Sequence, residues 1–238
     1  MAPIHDACDR GDLAEVQRLH AEGAALDAVD KEHGNLPMHV ACGCGHLEVS
    51  KWLHAQGAAL SVANDHGSQP IHYASGYGQL ETAKWLHAQG AALNAANTYG
   101  RYLIHFACHN GQLETAKWLR AQGAAIDAVG TEGEQPIHDA CSNGHLETVK
   151  WLHAQGVTLD ATANFGRQLI HHASGYGHLE TVKWLHAQGA VLDAASNCGF
   201  QPMHYACMHG HLEVAKWLHA QGASLDAMDK DGYTPAAV

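Results

Sequence analysis

The chain has 238 residues, a formal net charge of −11 and a 46% hydrophobic composition. Length and apolar fraction suit a globular core, while the acidic balance argues against nucleic acid and against an anionic membrane surface as partners. No apolar run approaches the roughly 20 residues that span a bilayer.

At the N-terminus, MAPIHDACDR has no basic stretch followed by an apolar one, so no secretory signal is expected. The seven cysteines are an odd number, and Cys8, Cys42, Cys108, Cys141 and Cys207 share one position of an internal period. That pattern predicts free thiols in a reducing, cytoplasmic setting rather than a disulfide framework.

The period is set by glycines. One row runs Gly11, Gly45, Gly78, Gly111, Gly144, Gly177 and Gly210, spaced by 34 residues once and by 33 thereafter. Two further rows start at Gly23 and at Gly34 and keep the same register. Such rows predict three backbone corners per period that need positive φ or close approach. Between the corners lie two short helices. In the third period PIHYASGYG predicts a helix of about two turns opened by Pro70. QLETAKWLHAQG predicts a longer one, with Leu80, Ala83, Leu86 and His87 on one face and Gly90 as its C-terminal cap. Helices this short need neighbours to be stable, which stacking provides.

In chain order, approximately residues 1–29 form a first unit whose Glu15 and Arg18 stand where later units have Val49 and Trp52. It reads as an N-terminal cap with a polar outer face. Units at 30–62, 63–95, 96–128, 129–161, 162–194 and 195–227 follow, and 228–238 begins an eighth. That last end has no second helix to cover it, so either a longer protein or another capping element is expected there. The whole 1–238 stretch is expected to be a single repeat domain.

The motifs LPMH, QPIH and QPMH, followed by GHLEVSKWL or GHLETVKWL, resemble the ankyrin repeat, whose signature is Thr-Pro-Leu-His. The resemblance covers nearly the whole chain, and the Trp-Leu-His phrase is similar to a divergent subgroup of that family. Its implied fold is an all-α solenoid of stacked helix-turn-helix units with short turns or hairpins between them. This chain departs from the signature: Thr is usually Gln, as at Gln69, Gln135, Gln168 and Gln201, and Pro becomes Leu103 and Leu169 in two units. Those changes are expected to weaken the first-helix cap. In the family the row His5, His39, His72, His105, His138, His171 and His204 ties each hairpin to the next unit.

The conspicuous residues read as framework. A second histidine row (His20, His54, His87, His153, His186, His219) ends the second helix. Same-row histidines one packing distance of about 8–10 Å apart cannot both reach a zinc at ~2 Å without abandoning their own contacts. Cys42, Cys44 and His46 in CGCGH do not close a structural site either. Each Trp of the row from Trp52 to Trp217 is expected to pack against the next helix pair. The lysines three residues after Glu48, Glu81 and their equivalents form a solvated outer face, at about 0.2–0.5 kcal/mol per pair. No nucleophile with base and orienting acid stands apart from the framework, and no phosphate loop occurs. A non-enzymatic chain without cofactor or metal is expected.

Individuality lies elsewhere. All ten Tyr and Phe residues fall in turns or first helices, which in the ankyrin family line the concave, partner-binding face. The candidate partner-binding residues are Tyr73, Tyr77, Tyr99, Phe106, His109, Asp139, Phe165, His172, Tyr176, Phe200, Tyr205 and His209. Aromatic side chains bury large area with few rotors to freeze. Replacing Tyr73, Phe106 and Tyr205 by Ala is expected to cost binding and little stability. The function expected is a non-catalytic scaffold that binds a protein or peptide. Acidic turns (Asp30, Glu32, Asp65, Glu132, Glu134, Asp229, Asp231) would steer a partner of basic character. A metal-responsive His-rich protein, or a regulatory or spacer segment of a larger protein, remain alternatives.

Overall fold

A computed structural model describes residues 3–236. Fourteen α-helices are described, in pairs of seven and nine residues. The pairs are α1 (Pro3–Asp9) with α2 (Leu13–Ala21), α3 (Pro37–Gly43) with α4 (Leu47–Ala55), α5 (Pro70–Gly76) with α6 (Leu80–Ala88), and α7 (Leu103–His109) with α8 (Leu113–Ala121). Then come α9 (Pro136–Ser142) with α10 (Leu146–Ala154), α11 (Leu169–Gly175) with α12 (Leu179–Ala187), and α13 (Pro202–Met208) with α14 (Leu212–Ala220). A two-residue hairpin pairs β1 (Thr162–Ala163) antiparallel with β2 (Arg167–Gln168), and an isolated bridge joins Ala96 to Tyr102. The fold is that of an all-α helix-turn-helix repeat protein. By contacts the chain divides into two compact units: one runs to Ala107 and includes Gln112–Ala125, the other comprises Cys108–Gly111 and everything from Ile126 on.

Every glycine of the three rows has positive φ, between 66° and 101°. At Gly144 two constraints coincide: φ is +71°, and an added Cβ would land on the His178 ring of the following pair. Only glycine meets both at low cost.

First helices are capped by an imidazole. Nδ1 of the framework histidine, three residues in, accepts the backbone N–H of the N-cap residue at 2.9–3.1 Å in the pairs Leu36–His39, Gln69–His72, Tyr102–His105, Gln135–His138, Gln168–His171 and Gln201–His204. This bond uses the N-cap backbone alone; the side chains of Leu36, Gln69, Gln135, Gln168 and Gln201 make no capping bond of their own, in keeping with the expected loss of the Thr cap. The other ring nitrogen donates forward, from His5 Nε2 to Asn35 O (2.9 Å), His39 to Ser68 O (3.0 Å), His171 to Ala194 O (2.9 Å) and His204 to Tyr233 O (3.3 Å). One residue type thus closes a helix and ties it to the next turn.

The repeated Trp-Leu-His phrase divides three tasks. Leu53, Leu86, Leu119, Leu152, Leu185 and Leu218 are fully buried. The histidine caps its own helix: Nδ1 of His54 donates to Ala58 O at 3.3 Å, and the same bond recurs in His20, His87, His153, His186 and His219. The Trp meets the edge of the previous pair's histidine, as in His20–Trp52 (5.6 Å), His54–Trp85 (6.0 Å), His87–Trp118 (6.1 Å), His153–Trp184 (5.8 Å) and His186–Trp217 (5.7 Å). The aromatic partner is therefore the preceding pair, where the following one was expected. A double-mutant cycle on His54→Ala and Trp85→Ala should give a coupling of about 0.5–1.5 kcal/mol in urea unfolding; additive losses would refute the pairing.

The outer face matches its expected chemistry. Lys51, Lys84, Lys117, Lys150, Lys183 and Lys216 pair with Glu48, Glu81, Glu114, Glu147, Glu180 and Glu213 at 2.7–2.9 Å. In the first pair Arg18 bridges Glu15 and Glu22 instead, a polar surface where later units carry Trp.

Candidate functional site

Turn tips are built on an Asx side chain. Asp30 Oδ1 accepts from Glu32 N and His33 N, Asn64 Oδ1 from His66 N and Ser68 N, Asn97 Oδ1 from Tyr99 N and Arg101 N, and Asp229 Oδ1 from Asp231 N and Tyr233 N. Backbone bonds link successive tips: Asp65 N to His33 O (3.0 Å) and Thr98 N to His66 O (3.0 Å) in the first unit. In the second, Asn164 N bonds Glu132 O (2.9 Å), Asn197 N bonds Phe165 O (2.7 Å) and Lys230 N bonds Cys198 O (3.0 Å). Asp30 and Asp229 are thereby turn-builders: the backbone N–H groups hold Asp30 below its ordinary pKa against the opposing effect of burial, and Asp229 is buried. Glu32, Asp65, Glu132 and Asp231 are the acids that remain exposed at the tips.

The candidate aromatics fall into two groups. Tyr77 (60% exposed), Tyr99 (53%), Phe165 (64%) and Tyr176 (62%) project into solvent. Tyr73, Phe106 and Tyr205 are half-buried, because each meets the edge of the previous pair's framework histidine: His39–Tyr73 at 5.5 Å, His72–Phe106 at 5.2 Å and His171–Tyr205 at 5.5 Å. The Tyr73 hydroxyl also donates to Asn35 Oδ1 at 2.7 Å and lies 2.9 Å from Asn64 Nδ2. These rings bridge neighbouring pairs, so the expected indifference of stability to their loss does not follow from where they sit.

Asp139 and His172 are each only 7% exposed. His172 occupies the same bridging position as Tyr73, its ring edge-on to His138 at 5.2 Å; burial, then His138 and Arg167, push it down to about 3. Asp139 lies 3.8 Å from His109 Nδ1, which also receives Asn143 Nδ2 at 3.0 Å. Phe200 stacks on His204 at 5.5 Å and meets Tyr205 edge-on at 5.7 Å. His172, Tyr176, Tyr205 and His209 do come together, lining a cavity of about 230 Å³ along α11 and α13. Arg167 and His211 line it too. Neither was among the candidates, although Arg167 is one of the few cations outside the Glu–Lys face, and that was a readable signal.

Three of the thiols are held in their protonated form by their surroundings. Burial pushes Cys8 and Cys42 up to about 12, and burial with the Asp9 carboxylate raises Cys44 to about 11. Nucleophilic cysteines are lowered, not raised. Among the described residues no three His, Cys, Asp or Glu side chains stand close enough to hold a metal ion, and no helix is long and apolar enough to cross a membrane.

The family model for ankyrin repeats matches three overlapping stretches, residues 4–97, 77–163 and 138–229. The chain belongs to the ankyrin-repeat family. Among curated proteins none matches this sequence. Ankyrin repeats are generally protein–protein interaction modules and typically non-catalytic scaffolds. In these ankyrin repeats the framework is confined to buried leucines, paired rings and glycine corners, while the variable residues occupy the turn tips and first helices.

Proposed function

We propose that the face made by the first helices and turn tips, the concave face of an ankyrin stack, binds a partner protein or peptide without catalysis. The observation that carries this reading is the distribution of exposed aromatic rings. Among the described residues those more than half exposed are Tyr77, Tyr99, Phe165, Tyr176 and Tyr233, all in turns or at first-helix ends. Five of the Trp rings on the second helices, Trp52, Trp85, Trp118, Trp184 and Trp217, are tucked against histidines instead. Exposed aromatics cost solubility and mark contact surfaces. Phe165 adds weight: it is the one non-glycine described residue with positive φ, +62°, a conformation that costs an L-residue about 1–2 kcal/mol and is met where side-chain placement matters. Glu32, Asp65, Glu132 and Asp231 at the tips favour a partner of net basic character, through steering more than affinity. An intracellular, cytoplasmic partner fits the free cysteines.

The test starts from peptides selected on the wild-type chain from a phage-displayed random library. Tyr77→Ala, Tyr176→Ala and Phe165→Asn should together remove binding of the selected peptides, the largest single losses reaching about 2 kcal/mol. Tm should hardly change for the tyrosines and should rise slightly for Phe165→Asn, since Asn tolerates positive φ. Glu114→Ala on the outer face should leave affinity unchanged. Peptides indifferent to all three aromatic changes would place the contact surface elsewhere.

A further inference from the structure

The cavity along α11 and α13 differs in chemistry from the aromatic tips beside it. Tyr176 and Tyr205 contribute ring walls, and Arg167, His172, His209 and His211 contribute nitrogen donors. At about 230 Å³ it lies below the roughly 300–1,000 Å³ of small-molecule and cofactor sites, a size for a side chain rather than a free metabolite.

Its polar groups are unequally committed. His211 Nε2 already donates to Gly175 O at 2.9 Å, and the Tyr205 hydroxyl is engaged by the Ser196 side chain. His172 is different. It is 7% exposed, its Nδ1 sits 3.0 Å from Ser142 Oγ, and its Nε2 has no hydrogen-bond partner. With the serine hydroxyl donating to Nδ1, Nε2 carries the proton and is a buried donor without an acceptor. Leaving a buried donor unmet is costly, and a ligand oxygen would satisfy it. Arg167 supplies the charge. Its guanidinium is 29% exposed and lies 3.7 Å from Glu134 Oε1, well beyond the 2.7–2.9 Å of a close charge-assisted bond. The cation is thus loosely paired and can turn to a second anion. One partly neutralised guanidinium beside the buried His172 imidazole balances a single negative charge, not the nearly two of a phosphate monoester. Tyrosine walls suit a short aliphatic stem below that charge.

We infer that this cavity receives the carboxylate side chain of one acidic residue, glutamate by its longer stem, in the peptide bound along α11 and α13. The inference rests on the peptide-binding reading above and adds its anchor: a segment of basic overall character carrying one acid that enters beside Arg167, His172 and His209.

The probe is the set of peptides selected on the full-length wild-type chain. Those whose binding is lost in Tyr176→Ala should share a Glu. Changing that Glu to Gln should weaken binding roughly 10-fold on the wild type and leave it unchanged on Arg167→Gln. His209→Ala, at an exposed position that cannot disturb the core, should weaken the Glu peptide and not the Gln peptide; it carries the comparison if Arg167→Gln fails to fold by circular dichroism. Phosphoserine in place of Glu should bind more weakly. Peptides that depend on Tyr176 yet lack an acid, or that bind more tightly with phosphoserine, overturn the carboxylate anchor and leave the binding face standing. Failure to select any peptide overturns the binding face and the anchor with it.

Discussion

Acidification from pH 7 to 4.5 will unfold the protein, and the loss will begin near pH 6.5, above the range where ordinary carboxylates titrate. Burial holds His39, His72 and His138 down to about 4 and His172 to about 3, and His171 is shifted the same way by the same cause. In the unfolded chain an imidazole titrates near 6.5. The folded pKa is therefore the lower one: below pH 6.5 the unfolded state binds protons that the native state refuses. Stability is fully present above about 6.5 and is lost as pH falls from there towards 4. Each such group contributes about 1.4 kcal/mol per pH unit across that window. With His39 and His72 in the first unit and His138 and His172 in the second, each unit loses roughly 3 kcal/mol per pH unit, large against a typical domain stability of about 5–15 kcal/mol. The geometry explains the refusal. Nδ1 of His39, His72 and His138 accepts the backbone N–H that closes the helix, and a proton there would abolish that bond. Urea midpoints at pH 7.5, 6.0 and 5.0 decide the matter: a flat series would mean that the buried imidazoles charge freely in the fold.

Leu86→Ala will lower stability by about 2–5 kcal/mol, the range for a large-to-small change at a site with no solvent contact. Leu86 is fully buried on α6, on the same helix as the buried Thr82 and Ala83. Lys84 on the same helix, paired with Glu81 at 2.7 Å on the open face, is the internal control: Lys84→Ala should cost only about 0.2–0.5 kcal/mol. Urea unfolding compares the two directly. A Leu86→Ala loss below about 1 kcal/mol would mean that the stack collapses into the space and that the leucine of the repeated phrase is not its packing centre.

The contrast between Leu86 and Lys84 was readable in one dimension, and the glycine corners were as well. A helix face follows from positions three and four apart, and a corner from the freedom of one residue. The positive φ at each glycine of the three rows and the Glu–Lys pairs emerge where the spacing put them, because every interaction involved is closed within a few residues. The family's framework histidine was legible for the same reason, through its motif.

Interactions that span a whole period were not legible in this way. Trp85 could have leaned on either neighbouring pair; the stack gives it His54, 31 residues earlier in the sequence. Tyr73 and Tyr77 look alike as exposed first-helix aromatics, yet one bonds Asn35 across the repeat boundary while the other stands in water. His172 and Asp139 belong to the variable set, and burial removes both from the open surface. Arg167 joins His172, Tyr176 and His209 only once α11 and α13 lie side by side. Sequence by itself determined the unit: its period, its two helices, its corners and which positions vary. Tertiary structure decided which variable side chains face solvent and which ring each framework residue touches, since exposure and ring pairing are properties of a neighbour about 33 residues away and no local pattern encodes them.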